Sequence, residues 1–227
     1  PGQALPWSPG TATGPTWDDN STGGRGGNLT KKVRSYGLEA AANGGTQLYV
    51  WASQRNSALQ RSGTFMYHSG TLPQLQVYMG LYGAMTKDAA PGVAYDGAPA
   101  VTYDNEVVLF YSDVDPVHNA AVAAGDAAYT PIHYQAQWFL VNGEPYVAGM
   151  DDIPAGSPGE TTLLRFLSAA SETHVPTLQG MHMSIHAEDG FRYEYQNGDT
   201  FGDFAPREQY TAMLPPLKTY DATIVVP

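Results

Sequence analysis

The strongest constraint on this chain is its punctuation. Short runs rich in Val, Thr, Tyr and Phe are broken by turn residues at Asn43-Gly44-Gly45, Asn142-Gly143, Pro158-Gly159, Asp189-Gly190, Asn197-Gly198 and Pro215-Pro216. β-Branched and aromatic side chains suit a pleated, half-buried surface. Gly, Asn and Asp supply the backbone conformations of tight turns. Runs of this length at this spacing predict a β-sandwich. Helix formers are sparse beside 25 Gly, 17 Pro and 15 Tyr, which points the same way.

The runs divide unevenly. Residues 1–30 are rich in Pro, Gly, Ser, Thr and Asn and hold too few apolar residues for a core, so an extended arm is expected, with Trp7 and Trp17 as anchors. Strands are expected at 31–39, 46–53, 63–69 and 77–86, too few to close a sandwich, so 31–90 reads as a partial domain. Residues 87–103 contain Pro91, Gly92, Gly97 and Pro99 and read as an interdomain connection. Residues 100–227 read as a second, complete domain. It opens with the strand 105–114 and a helical stretch whose Pro116 suits a first turn. A hairpin follows at Asn142-Gly143, then strands at 161–169, 173–187, 191–196, 208–214 and 219–226.

Charge narrows the partners. Eleven Lys and Arg stand against 22 Asp and Glu, a net charge of −11, which repels phosphate backbones and anionic lipid heads. Neither nucleic acid nor a membrane is an expected partner. No apolar run approaches the ~20 residues that span a bilayer. The chain begins at Pro1 with no basic or apolar leader, and the expectation is a processed mature chain or a piece of a longer one. Cysteine is absent, so the chain holds no disulfide, thiolate nucleophile or zinc–thiolate site.

The segment Gly63-Thr64-Phe65-Met66-Tyr67-His68-Ser69-Gly70, followed by Gly80-Leu81-Tyr82-Gly83-Ala84, resembles the multicopper oxidase pattern G-T-[FY]-W-Y-H-S-H … G-L-Y-G-[AP]. Residues 139–143, 163–169 and 187–190 are similar, in the same order, to the middle cupredoxin domain of those enzymes, and 206–226 resembles the strand pair that ends it. The resemblance covers roughly residues 45–227. It implies a mostly β fold of cupredoxin-like Greek-key sandwiches, one partial and one complete, in a secreted protein of an extracellular or periplasmic space. It also implies copper chemistry: one-electron oxidations at a type 1 copper, passed to a trinuclear cluster that reduces dioxygen to water.

That chemistry sets demands which the residues meet only in part. A type 1 site needs a Cys thiolate with two His, and there is no Cys. The trinuclear cluster of the family uses four His-x-His motifs. The matching motif here is His68-Ser69-Gly70, with Gly in place of the second imidazole, and no His precedes His68. On this reading the chain alone is not catalytically complete.

The candidate metal ligands are His68, His174 and His182. His182 and His186 share one face of a strand whose other face, Met181, Met183 and Ile185, is expected in the core. They stand ~13 Å apart along an unbent strand. Met66 and Met79 are expected to pack in a core, and Asp113, Asp115, Asp151, Asp152, Glu188 and Asp189 read as charge without a mechanism.

Three functions follow. The chain is part of a copper-binding oxidoreductase completed by a continuation or companion chain. Alternatively it is a copper-free structural or assembly module that forms a homo-oligomer, or binds a partner, through exposed strand edges. The third function is a mononuclear copper carrier using His68 with one of His118, His133, His174, His182 or His186.

Overall fold

The structure, a computed structural model, describes residues 43–46, 61–69, 72–126, 128–197 and 200–227, with the side chains of 196–203 left out. The expected arm 1–30 and the expected strand 31–39 lie outside the described residues, as does the strand 46–53 beyond Thr46. The Asn43-Gly44 turn is present, with both residues at positive φ, 64° and 88°.

Strands β1 (Gly63–His68) and β2 (Tyr82–Lys87) pair antiparallel, from Gly63 opposite Lys87 to His68 opposite Tyr82. Between them Pro73 opens a one-turn helix, α1 (Pro73–Gln76), because its fixed φ is already helical. The strand expected from residue 77 therefore starts only at Tyr82; residues 77–80 complete the turn that follows the helix.

The stretch expected to connect two domains forms a second hairpin, β3 (Val93–Tyr95) with β4 (Val101–Thr102). Its Ala94, Tyr95 and Val101 are buried against Leu163 and Ala187. Those apolar contacts tie 87–103 into the core despite its Pro and Gly, and residues 61–227 form one compact unit.

β5 (Asn105–Val114) leads into α2 (Pro116–Ala124). Asp115 caps the helix by accepting the Val117 N–H at 2.8 Å, Pro116 takes the first turn, and Gly125 closes it at φ 65°. β6 (Trp138–Val141) and β7 (Glu144–Pro145) flank Asn142 and Gly143, at φ 54° and 86°, the conformation of the expected tight turn. The chain continues through β8 (Thr161–Ser168), β9 (Met183–Glu188), β10 (Phe191–Arg192), the hairpin of β11 (Glu194–Asn197) and β12 (Thr200–Phe204), β13 (Arg207–Gln209) and β14 (Thr219–Val225).

Eight of these strands make the main sheet, in the order β10-β9-β14-β8-β5-β6-β7, with β13 also on β9. β5 and β8 run parallel; the other pairs are antiparallel. Alternation along β8 assigns the two faces. Leu164 and Phe166 join Val107, Met183, Ile185, Ala222 and Ile224 in one core, closed by Ala212 and Leu214 from a segment bridged to His174 and Thr177. Leu163 and Arg165 face the other way, under β1 and the β3–β4 hairpin. No described helix is long and apolar enough to cross a membrane.

Candidate functional site

The most densely bonded side chain of the second face is Arg165, in the middle of the apolar run on β8. Its exposure is 0%. A buried guanidinium must be paired to be tolerated, and here each of its three nitrogens has a partner. Nη2 lies 2.5 Å from Asp88, Nε 2.5 Å from Glu106, Nη1 3.0 Å from the Thr64 hydroxyl and 3.6 Å from Asp221. The hydroxyls of Thr64 and Tyr95 both donate to Asp221, and that of Tyr103 donates to Asp88.

Three carboxylates therefore surround one cation. Burial pushes the Asp221 carboxyl above its ordinary value, against the pull of Arg165 and the donated hydroxyls. Burial and the bond to Asp88 raise the Tyr103 phenol to about 12. With all three nitrogens engaged and the group fully buried, Arg165 is closed to an incoming anion. It acts as a latch that joins β1, the end of β2, β3, β5, β8 and β14.

The three candidate ligands stand on different supports. His68 ends β1 at the surface, with Nδ1 2.8 Å from the Ser69 carbonyl. A carbonyl only accepts, so Nδ1 carries the proton and Nε2 keeps the lone pair. His174 is half-buried between Tyr111 and Phe139, at ring distances of 5.1 and 6.0 Å, and its Nε2 is buried without a partner. His182 is exposed ahead of β9, edge-on to Tyr210 at 6.0 Å.

Among the described residues no three His, Cys, Asp or Glu are arranged to hold a metal ion. With no Cys in the sequence, the donor set does not fit a type 1 copper.

Other residues are placed as their partners dictate. Met183 and Ile185 are core residues, as expected, whereas Met79 is 39% exposed behind α1 rather than packed. Met66 is half-buried. Asp113 accepts from Tyr134 at 2.8 Å and from the Ser171 hydroxyl at 2.6 Å, and Glu188 and Asp189 hold Lys218 at 2.5 and 2.8 Å. These carboxylates are structural.

His186 departs from simple alternation. Asp221 pairs with Ala187 and Ala222 with Ile185, which leaves His186 as the extra residue of a β-bulge. The bulge buries its ring against Phe204 and sets Nε2 2.7 Å from the Thr223 hydroxyl. Beside it lies an open cavity of about 230 Å³, lined also by Pro99, Val101 and Thr102. Burial lowers the imidazole to about 4, so it is neutral at physiological pH.

The topology is that of a cupredoxin-like β fold. Among solved structures it is shared with multicopper oxidases. The blue copper oxidase of Nitrosomonas europaea superposes at a TM-score of 0.53 and 18% identity, over 75% of this chain and 48% of that one. The multicopper oxidase mgLAC gives 0.52 and 22%, over 73% and 46%. Fet3p, a multicopper oxidase that functions in iron import, gives 0.50 and 21%, over 73% and 27%. The chain thus spans about half, or less, of the length of these structures. No protein-family model and no curated protein matches the sequence.

Proposed function

We propose that this chain is a β-sandwich portion of a secreted, multicopper-oxidase-like protein in which another domain or a companion chain supplies most of the copper ligands. The observation that supports this is a mismatch. The sheet is that of copper oxidases, yet the chain has no Cys and its described residues form no metal-binding group. In this reading the chain positions rather than reacts: Arg165 fixes the hairpin that ends in His68, whose Nε2 is presented at the surface toward ligands from outside.

The test is metal analysis of protein from its native source, with oxygen consumption measured on a phenolic or metal-ion donor. Copper and turnover are expected in the native assembly, and neither in the isolated chain after copper loading. A copper-free native assembly, or a copper-loaded isolated chain that turns over, overturns the reading.

A second reading, a copper-free assembly module, draws on the β6–β7 edge of the sheet. There Trp138 is 54% and Tyr146 84% exposed, with Phe139 and Val147 exposed beside them in the chain. Apolar surface concentrated at a sheet edge marks an interaction site. This reading expects a concentration-dependent dimer or larger species by sedimentation that Trp138→Ser disperses. A monomer at all concentrations removes it.

A further inference from the structure

The first turn of α2 buries His118, at 0% exposure, among three tyrosines. Its ring lies 5.3 Å from Tyr134, 5.4 Å from Tyr129 and 5.9 Å from Tyr78, and the rings of Tyr78 and Tyr134 stack on each other at 4.2 Å. Nε2 is 3.4 Å from the Leu75 carbonyl and Nδ1 is 3.0 Å from the Tyr129 hydroxyl. Because a carbonyl only accepts, Nε2 carries the ring proton, and Nδ1 turns its lone pair toward the Tyr129 O–H. The phenol is therefore the donor in that bond.

Removing an electron from a phenol makes its O–H strongly acidic. A base already at hydrogen-bond distance takes the proton in the same event, and the costly phenol cation is avoided. We propose that Tyr129 and His118 form a proton-coupled redox site, oxidised by a one-electron, outer-sphere metal-complex oxidant. In that step the oxidant gains one electron from Tyr129, the Tyr129 O–H bond breaks, and an N–H bond forms at His118 Nδ1. The products are a neutral tyrosyl radical, an imidazolium and the singly reduced oxidant. Re-reduction returns the electron and the proton.

Three surroundings support the step. Asp115, the helix cap three residues before His118, is buried, and its charge interacts favourably with a cation at His118. Burial alone would raise its carboxyl, but the N–H groups of Gln135, Val117 and His118 outweigh burial and hold it below its ordinary value. Tyr129 is half-buried, within reach of an outer-sphere partner. Tyr95, Tyr103 and Tyr134 donate instead to the carboxylates of Asp221, Asp88 and Asp113, so none of these three hydroxyls has an imidazole as its acceptor.

The test uses the full chain with photogenerated ruthenium(III) tris-bipyridine as oxidant. Transient absorption and frozen-solution electron paramagnetic resonance follow the radical. Wild type is expected to give a fast tyrosyl phase slowed in heavy water. Tyr129→Phe, which removes one hydroxyl, is expected to abolish that phase, and His118→Gln to slow it about tenfold or more. Tyr134→Phe is expected to leave it in place. The proposal is overturned if folded Tyr129→Phe keeps the wild-type rate and hyperfine pattern, if heavy water has no effect, or if Tyr134→Phe removes the phase.

Discussion

Arg165 and Phe166 are neighbours on β8 and face opposite sides of one sheet, and the two sides are held by different physics. Phe166 meets Met183, Ile185, Ala222 and Leu214, contacts that ask only for apolar volume. Arg165 meets Asp88, Glu106, Thr64 and Asp221, contacts that fail unless each partner stands in place. The apolar side supplies cohesion and tolerates a change of shape that conserves volume. The charged side gains little net energy after desolvation, but it admits one position for the β1–β2 hairpin. Removing one member therefore separates the two sides experimentally.

The largest effect is expected from Arg165→Met. It leaves Asp88, Glu106 and Asp221 without their cation, at a cost of about 3–5 kcal/mol. Urea unfolding measures the loss, and hydrogen exchange should rise first in residues 63–87, which Arg165 ties down through Thr64 and Asp88. If the hairpin stays as protected as β8, the two sides are not distinct. On the other side, Leu164→Ala is expected to cost about 3 kcal/mol by cavity formation, with exchange rising evenly over β8, β9 and β14. Met183→Leu, which conserves volume, should cost less than about 1.5 kcal/mol.

The next effect depends on pH and concerns His186. Its folded-state value of about 4 lies below the ordinary imidazole value, so between the two the unfolded chain holds the extra proton. Its contribution is complete above about pH 6.5, is lost as pH falls toward 4, and amounts to at most about 3.5 kcal/mol. His186→Gln should flatten that part of the stability profile between pH 7 and pH 5 relative to wild type. An unchanged profile shows that the bulge does not keep the imidazole dry.

Much of the architecture was legible because it rests on local chemistry. The Asn142-Gly143 turn needs positive φ at both residues, Pro116 opens α2, and Met183 and Ile185 alternate into the core. The β3–β4 hairpin escaped because Ala94, Tyr95 and Val101 form no run long enough to signal burial among Pro and Gly. Arg165 escaped for a different reason. A charge inside TTLLRFLS breaks the apolar pattern, and its acidic partners lie on three other strands or strand ends.

The candidate site shows the same division. His68 was legible as the end of a strand. The bulge at His186 depends on pairing with β14, and the tautomer of His118 depends on a carbonyl from α1, so neither leaves a local signature.

The smallest effect tests the charged side at its finest grain. Thr64→Val keeps the shape of a buried residue and removes one hydroxyl, which donates to Asp221 and accepts from Arg165 Nη1 at 3.0 Å. Tyr95 still donates to Asp221, and the Arg165 ion pairs remain, so the cost should be about 1–2 kcal/mol, below that of Arg165→Met. Thr219→Val removes the donor to the Thr64 carbonyl at 2.9 Å and should cost about 1 kcal/mol. A directional network makes the pair non-additive, because once the Thr64 hydroxyl has gone the hairpin is less tightly placed for Thr219 to hold. A double-mutant cycle measures that coupling, expected at about 0.5 kcal/mol or more. Strict additivity would mean that Arg165 alone seats the hairpin and the two threonines act as independent bonds.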